Sequence, residues 1–299
     1  MMKKEIATIC VVIISLSNLS AQQTASMPNG RRIVFTEDVY DHIMLLQGKA
    51  LSGRVKSMRS TDNPNNYYTE DFDKNGNRLT EDSYIDGKRC IYNHYKYDKN
   101  GFLIKAEYMD NGYKCYTNYE NDAFGNPMKR LYKEDGEKEI AIFNYDFNKR
   151  EVVATDPNAG GYYPRRIFRF DEQGRIVYRQ KLVNVGDTIT DEYAYNDNGQ
   201  LVEHKKNISQ INRRDQYNES NIETYTYNEQ GYWTSIVKKS VSRRVNKDMK
   251  DEGQSHPITK VSTTHYTHYQ YDAQGNVTSV TIENGVGYRT DTYAYTYYE

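Results

Sequence analysis

The chain has 299 residues, with 40 Lys and Arg against 41 Asp and Glu and a formal net charge of −1, and it carries 30 tyrosines. That balance excludes a field of one sign able to steer nucleic acid or an anionic membrane surface. Scarce aliphatic residues beside so much tyrosine suit half-buried strands, where the ring packs and the hydroxyl stays wet, rather than a thick aliphatic core.

Residues 1–21 have the layout of a secretory signal peptide. Lys3 and Lys4 form a basic start, Ile6 to Leu16 are mostly apolar, and small residues lead to a cut after Ala21. The apolar run is too short to span a bilayer, and no later segment approaches the ~20 apolar residues a transmembrane helix needs. Cys10 comes too early in that run for a lipoprotein signal. Losing Lys3, Lys4 and Glu5 with the leader leaves 38 basic and 40 acidic residues, a net charge of −2. The expected location is therefore periplasmic, cell-surface or extracellular. Residues 22–51 read as a capping segment. Thr36 heads a short helix with Val39, Ile43 and Leu46 on one face, and Gly48 ends it. Such a helix suits the open end of a repeat array.

From residue 52 to 299 one motif recurs. Asp-x-x-Gly or Asn-x-x-Gly turns end at Gly76, Gly101, Gly125, Gly174, Gly199, Gly231 and Gly275. A worn copy, "YDFNKREVV" from Tyr145, fills the gap between Gly125 and Gly174. The period is about 25 residues, and the last two intervals are longer, with insertions near 207–221 and 239–260. A second turn stands midway in several units: Asp86-Gly87, Asn111-Gly112, Asp135-Gly136 and Asn284-Gly285. Such pairs favour two-residue hairpin turns, because both positions need positive φ. Each unit is therefore a β-hairpin with strands of ~9–10 residues.

Aromatic residues stand four and six places before most turn glycines, as in Tyr95 and Tyr97 or Tyr193 and Tyr195. Alternation puts each such pair on one face, with Lys96 or Ala194 on the other. Two places after the glycine come Leu103, Ile176, Leu201, Trp233 and Val277. They are expected to pack on the aromatic rungs, each cross-strand pair contributing ~0.2–1 kcal/mol.

The stretches "YKYDKNGFLIKAEY", "YAYNDNGQLVEHKK", "YTYNEQGYWTSIVK" and "YQYDAQGNVTSVTI" resemble the YD-repeat family, also called Rhs repeats. That resemblance implies a long antiparallel sheet that curls into a spiral or shell, secreted or displayed at the surface. In large family members it goes with toxin enclosure, adhesion or carbohydrate binding. Here the chain is short and ends in the strand-like "TDTYAYTYYE", which argues against toxin delivery.

The expected fold is all-β: about sixteen strands in a hairpin meander, curled into an open or partly closed single sheet with the aromatic face inward and the N-terminal helix as its cap. Twist disfavours a flat sheet of that size. A four-bladed propeller is an alternative. An outer-membrane barrel shares the tight turns and strand length. Against it, Lys105, Lys129 and Glu203 occupy the fourth place after the glycine, on the face of the apolar second place, where each Lys would face lipid at ~2–4 kcal/mol.

Little in the sequence points to chemistry. "DFDKNGNRLTED" nearly matches a calcium loop through Asp71, Asp73, Asn75, Gly76 and Asp82, but its flanks are strands and it ends in Asp rather than the usual bidentate Glu. His265 and His268 fall on opposite faces of a strand by parity. Cys90 and Cys115 lie on equivalent strands one period apart, about 9–10 Å from each other in a meander, too far for a bridge. No nucleophile or phosphate-loop pattern appears. The expected function is a non-catalytic scaffold of the cell envelope, without cofactor or metal and with no nucleic-acid partner. It would bind carbohydrate or a cell-surface protein through exposed Tyr and Asn and a long loop carrying Arg243, Arg244, Lys247 and Lys250. The alternative is self-association through an open C-terminal edge at Thr292 to Tyr298; a hydrolase would need a cleft with two converging carboxylates, and nothing in the repeat singles out such a pair.

Overall fold

The structure, a computed structural model, describes residues 51–299 except 52, 62, 111–112, 135–136, 158–165, 185–186, 212–214 and 247–256. The capping helix expected around Thr36, the leader, Cys10, the Asn111-Gly112 and Asp135-Gly136 turns, Lys247 and Lys250 lie outside the described residues. Every described element is a strand: β1 (Val55–Ser60), β2 (Tyr67–Phe72), β3 (Arg78–Ile85), β4 (Lys88–Tyr97), β5 (Leu103–Asp110), β6 (Tyr113–Asn121), β7 (Pro127–Glu134), β8 (Glu137–Asp146), β9 (Glu151–Thr155), β10 (Arg166–Phe170), β11 (Ile176–Asn184), β12 (Asp187–Tyr195), β13 (Leu201–Ile211), β14 (Asp215–Tyr227), β15 (Trp233–Asn246), β16 (Ile258–Tyr271), β17 (Val277–Asn284) and β18 (Gly287–Tyr297).

Each strand pairs antiparallel with the next, and the last returns to the first. Met58 of β1 stands opposite Tyr295 of β18, and Ser60 opposite Tyr293. On its other side β1 pairs with β2 through Met58 and Glu70. The sheet is thus a closed 18-stranded barrel, not the open or partly closed meander that the repeat suggested, nor a propeller. Thr292 to Tyr298 is no free edge: Tyr298 also donates its backbone N–H to the Arg54 carbonyl at 2.8 Å. Closure is the one arrangement that leaves a large antiparallel sheet no edge to protect.

The turns explain the repeat. Asp98 Oδ1 accepts the backbone N–H of Asn100 at 2.8 Å and of Phe102 at 2.9 Å. The Gly101 N–H returns to the Asp98 carbonyl at 3.0 Å. Asp73, Asp122, Asp171 and Asp272 repeat this double acceptance. The closing glycine takes positive φ, +79° at Gly101 and +85° at Gly125. At the opposite rim Asp86 and Gly87 have φ of 51° and 72°, as a two-residue hairpin needs. The last hairpin turns one residue later than expected, because Asn284 pairs with Gly287 and leaves Gly285 and Val286 at the tip.

Immediately after each Asp-x-x-Gly turn the register slips by one. Tyr97 faces Leu103, yet Lys96 faces Lys105 and Tyr95 faces Ala106, so Ile104 is the extra residue of a bulge. The same slip follows Phe72, Asn121, Phe170, Tyr195, Tyr227 and Tyr271. It corrects the parity read from sequence. The second place after the glycine shares the aromatic face as expected, but the fourth place, Lys105, Lys129 and Glu203, lies on the other side.

Fully buried Val152, Phe168, Val277 and Val280 all lie on the aromatic face, while Lys96, Lys129, Arg169 and Glu203 on the opposite face are exposed or half-buried. The aromatic face is therefore the interior. Its apolar residues gather in three clusters: one around Met58, Phe72, Tyr232, Tyr266 and Val280, one around Phe143, Val152 and Phe168, and one around Tyr95, Leu103 and Ala106. All three lie toward the Asp-x-x-Gly rim. Toward the other rim the strands become exposed, as along the first five residues of β16. The expected insertions are longer strands: β13 and β14 stay paired out to Ile211 and Gln216, and β15 and β16 out to Ser242 and Ile258.

Candidate functional site in the barrel interior

The bulge turns the fifth place after each turn glycine inward, and in four units a polar residue stands there. Glu81, Arg130, Arg179 and His204 stand there, level with Ala106, Ile236 and Val280 of other units. Simple alternation from the glycine assigns them to the outer face, so sequence parity missed them. The visible signal was the Asp-x-x-Gly turn itself, whose loop type carries an adjoining bulge.

Two ionic groups result. In β2–β4, Arg78 lies 3.2 Å from Glu70 Oε2 and 3.6 Å from Glu81 Oε2. Asn93 donates to Glu81 at 3.1 Å. Glu70 and Glu81 are 2% and 4% exposed, and Glu70 Oε1 has no hydrogen-bond partner. Burial, against the attraction of Arg78, raises the Glu70 carboxyl to about 8. One guanidinium cannot balance two buried carboxylates, so one of them keeps its proton. The two acids converge, as a hydrolase would need, but no solvent reaches them.

The second group lines β11–β15. Asp191, 1% exposed, takes a bond from Arg179 Nε at 2.9 Å and stands 2.9 Å from His204 Nε2. Burial raises its carboxyl, but His204 and Arg179 outweigh that and hold it below the ordinary carboxylate range. The Tyr193 ring stacks on His204 at 4.7 Å. Beside them Glu223 meets Lys238 at 2.7 Å and accepts the Tyr225 hydroxyl at 2.5 Å. The surroundings of this group are half-buried rather than sealed.

The residues singled out from sequence do not assemble. Arg243 faces outward, where it helps line a shallow groove of about 390 Å³ with Thr190, Asn207, Asn218 and Ser220. Its neighbour Arg244 faces the interior opposite Tyr217. In the near-match to a calcium loop, Asp71 binds Thr80 on the outer face at 2.9 Å, Asp73 serves its own turn, and Asp82 lies 3.5 Å from Arg89. Among the described residues no three metal-ligating side chains converge. A bulge between Thr267 and Gln270, with His268 at φ 53°, removes the parity argument for His265 and His268, and both are exposed. Cys90 lies in β4 and Cys115 in β6, with β5 between them. Cys90 Sγ contacts the Ser83 carbonyl at 3.3 Å.

No protein-family model matches the chain, and no curated protein matches it. Among solved structures it is similar to a porin-like protein from Bacteroides vulgatus ATCC 8482. The identity is 10%, the match covers 82% of this chain and 98% of that one, and the TM-score is 0.39. A porin-like protein from Bacteroides uniformis ATCC 8492 gives 12% identity, 82% and 99% coverage and a TM-score of 0.28. Likenesses this slight assign no function. Closure rests on the β1–β18 pairing alone, and it replaces both the open, curled binding scaffold that the sequence suggested and its alternative, assembly through a free edge strand.

Proposed function

We propose that this chain is a non-catalytic β-barrel of the bacterial cell envelope that handles small solutes in its interior and does not form an open diffusion channel. Closure carries the reading. Once the sheet returns on itself, the interior is a concave surface with converging charged groups. Aromatic packing fills most of the interior toward the Asp-x-x-Gly rim, and the ionic wall of β11–β15 begins level with it and runs toward the other rim.

The outer face favours water over lipid. Lys96, Lys105, Glu107, Glu120, Lys129, Glu151, Arg169 and Glu203 all lie on it. Several pair there, as Lys129 with Glu120 at 2.8 Å and Arg169 with Glu151 at 3.3 Å. Each Lys held near mid-bilayer would cost about 2–4 kcal/mol. The secretory layout of residues 1–21 supports an envelope address.

Cell fractionation and planar-bilayer recording test the proposal together. The expected result is release of the folded protein by osmotic shock or a high-salt wash without detergent, and no conductance steps from the purified protein. Detergent-dependent extraction combined with stable conductance would overturn it in favour of a membrane pore.

A further inference from the structure

We infer that the exposed half of the barrel interior, over β11–β16, binds small multiply charged oxyanions. This rests on the reading of the interior as the working surface. The cross-strand registers assign the inner-facing side chains in rows. One row runs Arg179, Asp191, Lys206, Asn221, Ser240 and Lys260. The next runs Tyr193, His204, Glu223, Lys238 and Ser262. Toward the open rim follow Lys181, Ile189, Ile208, Glu219 and Ser242, and then Asp187, Gln210, Tyr217 and Arg244.

These rows hold six permanent cations, Arg179, Lys181, Lys206, Lys238, Arg244 and Lys260, against four acids, Asp187, Asp191, Glu219 and Glu223. Each acid is already engaged. Asp191 is held by Arg179 and His204, Glu223 by Lys238 and Tyr225, Glu219 by Tyr217 at 2.7 Å and Asn221 at 2.9 Å, and Asp187 by the Ile211 N–H at 2.6 Å. The acids therefore leave an excess of positive charge on a concave wall. Lys206 and Lys181 are half-buried, while Lys238, Arg244 and Lys260 are exposed, so solvent reaches the wall. A concave wall of one sign, backed by low-dielectric protein, concentrates its field and raises the local concentration of counter-ions.

Ser240, Ser262 and the second amide N–H of Asn221 stand between the cations and supply neutral donors. Spaced ammonium groups with interleaved hydroxyls and amides suit an anion whose charge is spread over several oxygens. The outer face of the same strands is not equivalent. Glu192 and Glu203 there offset most of Lys205, Lys239 and Arg243, and the shallow groove that Arg243 lines is walled mainly by neutral Thr, Asn and Ser side chains.

Calorimetric titration of the purified full-length protein with inorganic pyrophosphate, and separately with citrate, tests this, spermidine serving as the control. The two anions distinguish phosphate from carboxylate ligands. Expected is binding of at least one at roughly millimolar Kd or tighter, weakening as salt is raised, with none for spermidine. The double variant Lys206→Gln/Lys260→Gln should weaken it by about tenfold or more, whereas Lys239→Gln on the outer face leaves it unchanged. Lys206→Arg keeps the charge and should retain binding, which separates loss of charge from loss of fold. No heat with either anion, or an equal loss from Lys239→Gln, would overturn the inference. Neither result depends on bilayer conductance, so the two readings fail separately.

Discussion

The side-chain amide of Asn121, at the end of β6, donates to the backbone carbonyl of Leu103, at the start of the adjacent β5, at 2.8 Å. In other units a tyrosine hydroxyl does the same work: Tyr145 to Pro127 at 2.7 Å, Tyr195 to Ile176 at 2.9 Å, Tyr227 to Leu201 at 2.6 Å, Tyr269 to Trp233 at 2.6 Å and Tyr295 to Val277 at 2.7 Å. The acceptors Leu103, Pro127, Ile176, Leu201, Trp233 and Val277 are each the second residue after a turn glycine, where the register slips. The tyrosine ladder is thus also a chain of latches, each unit tied to the bulge of the one before it. Asn121, which broke the aromatic pattern in the sequence, keeps the bond.

It follows that Asn121→Ala should destabilise the barrel by about 1 kcal/mol, the ordinary net value of one such bond, with the Leu103 carbonyl losing its partner. Asn121→Tyr restores both ring and donor and is expected to be close to neutral. Tyr195→Phe keeps the ring and loses only the bond, so its cost should match that of Asn121→Ala. Equilibrium urea unfolding of the three variants checks the order. A large loss for Asn121→Tyr would mean that the amide serves some other purpose.

The turn glycines are not equivalent. A Cβ on Gly76 would meet nothing within 4 Å, whereas one on Gly125 would lie 2.4 Å from the Phe102 ring. Both hold positive φ, so Gly76→Ala should cost about 1–2 kcal/mol from the backbone alone. Gly125→Ala should cost measurably more, because the Phe102 ring must also move. The double variant Gly125→Ala/Phe102→Ala isolates that contact. In it the excess over Gly76→Ala, referred to Phe102→Ala, should vanish.

How much of this was legible follows from one local event. Asp98, Gly101, Tyr95 and Tyr97 were readable as turn former, hinge and rungs because each acts within a few residues of itself. The bulge at Ile104 was not, although its cause lies in the same turn, since an extra residue leaves no mark on composition. That single slip carries Arg179 and His204 inward, and Asp191 became part of a site only because Arg179 and His204 flank it. Closure was illegible for another reason. Whether Tyr295 meets Met58 depends on twist and stagger summed over every strand between them, and no local pattern encodes that sum.

The Glu70, Arg78 and Glu81 group gives the barrel a pH dependence. The folded-state value near 8 lies above the ordinary carboxylate value of 4.5, so the folded protein holds a proton that the unfolded chain has released between those limits. Stability from this site is full below about pH 4.5 and declines as pH rises through 8, by at most about 1.4 kcal/mol per pH unit. Glu70→Gln keeps the neutral shape and should flatten the decline. Thermal midpoints of both proteins between pH 5 and about pH 9 decide it, and parallel curves would remove Glu70 as the cause.

The last prediction concerns the seam. β18 is held on one side by β17, from Ser279 opposite Thr292 to Asn284 opposite Gly287, and on the other by β1. Ending the chain at Asn284 would strip both neighbours of a partner at once. Val280 and Ile282 of β17 and Met58 of β1 would then lose the cover of Tyr293 and Tyr295, which pack on them in the same cluster. Two unpaired edges beside newly exposed apolar surface are a template for pairing between chains. The shortened protein should form oligomers or aggregates where the whole chain remains a monomer, as read by light scattering after size exclusion. A monomeric, folded product would mean that β1 and β17 can close the barrel without β18, and that the seam is not where its integrity is decided.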